Sequence, residues 1–127
     1  MEAAETVSSV STLLGEYCVL LDSGRFQEWT ALFLTDGVME MKRQTMVGHE
    51  QLLDFARKAP RGIHLCGLPV IAPTTEGATS TCPWNFVDLA TGRQVVGYYH
   101  DEIVLSEGRH RFRHRRIEMH FPPVRQE

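Results

Sequence analysis

Apolar residues at positions 10, 13, 14, 17, 20 and 21 recur at steps of three and four: Val10, Leu13, Leu14, Tyr17, Leu20 and Leu21. That stripe predicts an amphipathic helix over about 5–21, and Gly24 supplies its stop. A second, shorter helix is predicted with Phe26, Trp29, Leu32 and Phe33 on one face, ending near the turn pair Asp36-Gly37. Two helices joined so tightly should form a helical hairpin. Residues 38–47 read as a short strand pair or an irregular strand. A third helix over about 49–58 has Leu52, Leu53 and Phe55 to bury, and Pro60 prevents its continuation. Beyond Pro60 the period falls to two. Stretches 63–72, 79–89, 94–106 and 110–121 are strand-like, with turn-rich connections between them. Pro83 interrupts the second of these, which predicts an edge position or a bulge there. Helices first and a meander of long strands afterwards imply an α+β domain in which a curved antiparallel sheet wraps around three N-terminal helices.

Length and composition narrow the partners. At 127 residues the chain is expected to be one domain, able to bury a core without metal or disulfide staples. A net charge of −3 opposes a general nucleic-acid or membrane-surface binder, so the expected partner is a small molecule or a protein. The basic run from Arg109 to Arg116 splits its cations between two strand faces, so no dense patch follows. His110 and His114 have the spacing of a helical zinc pair but fall in a strand, with no acidic or cysteine set converging on them; no metal and no cofactor are expected. Three cysteines, Cys18, Cys66 and Cys82, make a poor disulfide framework. The acidic start and the lack of a membrane-length apolar run make a soluble, cytoplasmic protein the expectation.

Candidate chemistry begins with Asp22, whose carboxylate faces the negative end of the first helix's dipole. Either it caps the following turn or it has a chemical task. His64, early in a strand with Cys66, Leu68 and Val70 on its face, is placed to enter an apolar cavity and act as a general acid and base. Asp22 is the candidate partner that accepts the second ring N–H of His64. Tyr17 could then donate its hydroxyl to a developing oxyanion, with Tyr99 as a second donor. Trp29, Phe33, Trp84, Phe86 and Met119 supply an apolar wall. Arg115 shares parity with Ile117 and Met119 and is a candidate to hold an anionic or carbonyl group; because a bulge resets parity, Arg116 and His114 are its alternatives. For Tyr17, Asp22 and His64 alike, the rival role is structural: core packing, helix capping or a strand histidine.

Several segments in order carry a family resemblance: Tyr17 with Asp22-Ser-Gly-Arg-Phe, Trp29-x-x-x-Phe33-x-x-Asp36-Gly37, Gly48-His-Glu, Arg61-Gly-Ile-His64, Gly97-Tyr-Tyr99-x-Asp101 and Arg111-Phe-Arg-His-Arg115-Arg-Ile117. Together they resemble the SnoaL-like branch of the nuclear-transport-factor-2-like superfamily. The resemblance implies one domain over 1–127, built as a cone of curved sheet with a central pocket. The family includes polyketide cyclases, dehydratases, isomerases and noncatalytic subunits. Tyr17, Asp22 and His64 match the tyrosine, aspartate and histidine of bile-acid 7α-dehydratase-like members, and scytalone dehydratase has a similar polar set. Where relatives often carry an asparagine four residues after the histidine, this chain has Leu68, which implies a drier pocket on that side. The resemblance therefore implies a cofactor-independent dehydratase, isomerase or cyclase for a hydrophobic cyclic carbonyl substrate of polyketide, steroid or terpenoid type. The alternative is a noncatalytic ligand-binding or assembly domain of the same fold. It also implies a homo-oligomer, dimer or trimer.

Overall fold

The computed structural model describes residues 2–121; the stretch after Pro122-Pro123, which reads as a loose tail, lies outside the described residues. In chain order the elements are α1 (Ala3–Asp22), α2 (Phe26–Thr30), β1 (Phe33–Glu40), β2 (Thr45–Val47), α3 (Gly48–Lys58), β3 (Gly62–Cys66), β4 (Val70–Pro73), β5 (Gly77–Asp88), β6 (Gln94–Ser106) and β7 (Arg109–His120). The sheet runs β2-β1-β7-β6-β5-β3, with β4 also paired to β5. It is curved and unclosed. Helix α1 lies against β3, β4 and β7, and α3 covers β1 and β2.

The apolar stripe of α1 is the buried one, and Gly24 ends the helix with φ +78°, a left-handed conformation that costs glycine little. The second helix is shorter than its periodicity suggests. It stops at Thr30, and Phe33 opens a strand instead of closing a helical face. Pairing decides this: Phe33 sits opposite Phe112 with ring centroids 5.0 Å apart, and such tertiary contact overrides a weak helical pattern. Because β1 pairs with β7 in parallel, the sheet is mixed where a wholly antiparallel one was expected. Asp36-Gly37 falls inside β1, where the register jumps from Phe33↔Phe112 to Val38↔His114. A Cβ on Gly37 would lie 2.9 Å from the Leu34 carbonyl oxygen, so this bulge needs glycine.

The stretch 63–72 is two strands and not one. Cys66 pairs with Trp84 and Val70 with Thr81, leaving Cys82 and Pro83 without strand partners on that side. Pro83 occupies that gap: its carbonyl accepts the Gly67 N–H at 2.9 Å, so its missing N–H faces the break and no ladder bond is lost. In β7, Arg113 is the extra residue of a bulge, since Glu102 pairs with His114 and Ile103 with Phe112. The inward parity therefore changes from His110 and Phe112 to Arg115 and Ile117.

Arg115 does turn inward, and it ends with no exposed surface. Its Nε and Nη2 donate to Asp101 at 2.7 and 2.9 Å, and Ser80 donates to the same carboxylate at 3.1 Å. The guanidinium carbon lies 3.7 Å from the Tyr99 ring centre, 4.2 Å from that of Tyr17 and 4.3 Å from that of Phe112. Burial disfavours its charge, but the adjacent Asp101 carboxylate outweighs that and holds the guanidinium protonated.

Removing one member of such a pair strands the other in the core. Asp101→Ala should lose about 3–5 kcal/mol of stability, whereas a double replacement of Asp101 and Arg115 by leucine and methionine should recover most of that loss. Urea unfolding of the three proteins measures both effects. A single variant within 1 kcal/mol of the parent would show that the pair does not carry this role.

Candidate active site

Helix α1 points its C-terminal half at the inner face of the sheet, and a cavity of ≈ 820 Å³ opens between them. The volume falls within the range of small-molecule sites. Tyr17 and Asp22 reach it from α1, His64 from β3, Trp84 and Phe86 from β5, Tyr99 from β6 and Met119 from β7. Alternation along the strands explains the last four. Trp84 and Phe86 are two apart on one face of β5, opposite Gly97 and Val95 of β6.

The polar end of the cavity is a dyad. His64 Nδ1 lies 2.6 Å from Asp22 Oδ1, and the His64 backbone N–H donates to Oδ2 at 2.7 Å. A carboxylate accepts, so Nδ1 carries a proton, and in the neutral ring Nε2 is then the nitrogen with the free lone pair. Both side chains are mostly enclosed, at 15% and 13% exposure for His64 and Asp22. Asp22 does not cap the next helix. The N-cap of α2 is Arg25, and no side chain bonds its free N–H groups.

Tyr17 stands beside the dyad with its ring 6.3 Å from that of His64 in an edge arrangement. The ring is clasped by Trp29, Tyr99 and Phe112 at centroid distances of 5.5, 5.5 and 5.9 Å. Among the described residues its hydroxyl donates to the soft Met39 Sδ, at 3.4 Å. Burial pushes the Tyr17 phenol well above its ordinary value, and it does the same to Tyr99. Both remain hydrogen-bond donors at neutral pH. Trp84 Nε1–H is buried without a partner, although its residue lines the cavity.

Three candidates lie elsewhere. Trp29 and Phe33 are buried at 0% and 1% exposure and do not line the cavity; they stand behind Tyr17 and fix its ring. Arg115 is held by Asp101 beneath the same ring and also stays off the lining. Its alternative His114 is bonded to Glu40, and Arg116 is exposed. Leu68 is 91% exposed and outside the wall, because β3 has ended before it; the cavity is no drier on its account. Sequence reasoning missed Phe26 and Phe55 on the helical wall, and Arg61, Arg93 and Asp88 as polar members of the lining. Helical periodicity marks the first two as buried, but nothing local tells a cavity wall from a core.

The sequence model of the SnoaL-like domain family matches residues 2–116. No curated protein matches the chain. Among solved structures, a protein of unknown function with a cystatin-like fold from Nostoc punctiforme superposes with a TM-score of 0.82 at 17% identity, covering 94% of each chain. The β subunit of a candidate aromatic-ring-hydroxylating dioxygenase from Novosphingobium aromaticivorans gives 0.79 at 20% identity, over 98% of this chain and 95% of that one. A candidate scytalone dehydratase from the same organism gives 0.71 at 18% identity, over 93% and 88%. At these identities the likeness establishes the fold alone.

If Asp22 fixes the imidazole, its removal must change which nitrogen is protonated. In ¹⁵N spectra of the parent, His64 should show the Nδ1–H tautomer at pH 8, and Asp22→Ala should shift the population toward Nε2–H. An unchanged tautomer in that variant would leave the carboxylate as a tether to the backbone and nothing more.

Proposed function

The chain belongs to the SnoaL-like domain family, and on that premise we propose that it is a dehydratase acting on a hydrophobic cyclic carbonyl substrate of polyketide, steroid or terpenoid type. The observation that carries this is the Asp22–His64 bond with a protonated phenol beside it at the polar end of an aromatic-walled cavity. Elimination of water next to a carbonyl needs a base for the acidified carbon proton and a donor for the enolate oxygen. His64 Nε2 takes the proton, and Asp22 stabilises the resulting imidazolium through Nδ1–H. Tyr17 donates to the enolate oxygen. The same proton then passes from His64 to the departing hydroxyl, which leaves as water, so the cycle balances with no cofactor. The unpartnered Trp84 Nε1–H is a ready contact for a second ligand oxygen. Isomerisation or cyclisation would use the same first step and differ only in where the proton is returned.

A noncatalytic ligand-binding or assembly role is the second reading, favoured by the likeness to a dioxygenase β subunit. Turnover separates the two. Mass spectrometry of a panel of cyclic β-hydroxy ketones should show loss of water with the parent protein. His64→Ala, folded by circular dichroism, should lose about 10²–10⁴-fold in rate, and Tyr17→Phe about 10²–10³-fold. Because burial holds Tyr17 protonated beyond its ordinary value of 10.0, kcat should not fall on the alkaline side through loss of this donor as pH approaches 10. Equal binding by parent and His64→Ala with no turnover by either would establish the second reading.

Self-association is part of the same proposal. The outer face of the sheet exposes Ile63 and Leu65 on β3 and Val96 and Tyr98 on β6 at 44, 57, 42 and 45%, with Asn85 of the intervening β5 between Leu65 and Val96, and a second copy would cover this face. Light scattering at micromolar concentration should give a dimer or trimer, and Leu65→Glu with Tyr98→Lys should shift it to monomer. A parent that is wholly monomeric would remove the oligomer from the proposal.

A further inference from the structure

The cysteines, 48 and 16 residues apart in sequence, meet in space. Cys18 Sγ on α1 lies 3.2 Å from Cys66 Sγ at the end of β3. Cys82, on β5, turns its thiol toward the same spot and donates to the Gly67 carbonyl at 3.4 Å, one residue beyond Cys66. All three are free; Cys18 and Cys82 are buried and Cys66 is exposed. No group of His, Cys, Asp and Glu among the described residues has a metal-holding arrangement, and the geometry suits sulfur chemistry better. We propose that Cys66 and Cys18 form a peroxide-responsive pair, in which Cys66 attacks a hydroperoxide and Cys18 resolves the product into a disulfide between α1 and β3.

The division of labour follows from surroundings. Cys66 meets solvent at the break between β3 and β4, where an oxidant can reach it. Hydrogen bonding with the Cys18 thiol lowers the Cys66 thiol well below its ordinary range, against its partial burial, while Cys18 is raised by the same bond and by burial. Exposure and this direction together make Cys66 the attacking sulfur and the buried Cys18 the partner that brings the proton. The Cys66 sulfur attacks one peroxide oxygen, the O–O bond breaks, and alcohol or water departs with a proton, leaving a sulfenic acid. The Cys18 sulfur then attacks the Cys66 sulfur, the S–O bond breaks, and the hydroxide leaves as water with the Cys18 proton. Two thiols and one hydroperoxide give one disulfide, one alcohol or water, and one water. The sulfurs need to approach by only about 1.2 Å to reach bonding distance. Cys18 adjoins Tyr17 and Cys66 lies two residues beyond His64, so the crosslink would fasten together the two elements that carry the dyad.

The test is titration of the reduced protein with hydrogen peroxide, followed by alkylation and peptide mapping without reductant. The expected product is an intramolecular Cys18–Cys66 peptide with Cys82 alkylated, formed at least tenfold faster than glutathione reacts under the same conditions. Cys66→Ser should abolish the reaction and Cys82→Ser should retain the crosslink. Cys18→Ala should accumulate a dimedone-reactive sulfenic acid at Cys66; if that buried substitution fails to fold, the parent and Cys66→Ser still decide the matter. A crosslink through Cys82, a rate within twofold of glutathione, or a sulfenic acid that persists in the parent would overturn the proposal.

Discussion

A guanidinium with no exposed surface, held by one carboxylate and boxed by three aromatic rings, is the constraint on which the inner half of this fold is built. Arg115 and Asp101 sit on neighbouring strands β7 and β6, directly opposite each other in register. Their pairing fixes which side chains of the two strands face inward. Desolvating two charges gains little net stability, but it penalises any register in which they fail to meet. Tyr17, Tyr99 and Phe112 close over the pair, so the phenol that reaches the cavity rests on a support that cannot slide. One Arg115 nitrogen, Nη1, remains without a partner. That unsatisfied donor marks the pair as one kept for geometry at some energetic disadvantage.

Above this support the cavity is lined by the Asp22–His64 dyad and Tyr17, by an apolar wall rich in aromatic rings, and by the polar side chains of Arg61, Asp88 and Arg93. On the proposed function, apolar substrate surface enters the wall of Phe86, Trp84 and Met119 and its carbonyl oxygen faces the phenol and imidazole. Water excluded from the aromatic wall also strengthens each hydrogen bond at the dyad. Trp29 and Phe33 contribute from behind. They touch no cavity surface, yet they remove the freedom of the Tyr17 ring, whose hydroxyl donates to Met39 Sδ.

Much of this was legible in the residues, and the failures have physical causes. The stripe of α1, the cluster of α3 and the alternation of β5 to β7 depend on neighbours in sequence, so periodicity reports them. Tyr17, Asp22 and His64 came together as a set through the family resemblance, because singly each has a structural role as its ordinary reading: core packing, helix capping and a strand histidine. Phe33 was misassigned since the evidence against a helix is its contact with Phe112, far along the chain. Parity left Arg115, Arg116 and His114 open as the inward residue; the structure turns Arg115 inward onto Asp101, a partner not named as such, so the ligand was assigned to a charge the protein already satisfies. Leu68 was read into the wall because the strand appeared continuous, whereas Pro83 demands a break across from it. The meeting of three cysteines leaves no periodic trace at all: it arises from the packing of one helix on two strands.

What separates a structural Asp22 from a chemical one is the second bond. A carboxylate at the C-terminus of α1 stands against the helix dipole, and it persists there only with compensation. The His64 backbone N–H alone would provide that and would tie α1 to β3, which is all a tether requires. Instead the other oxygen takes the ring nitrogen of the same residue, fixing the tautomer and the rotation of the imidazole together. Holding the ring adds nothing to the tether. It does set which ring nitrogen of a cavity-lining histidine faces away from Asp22, and that orientation is what the proposed function draws on.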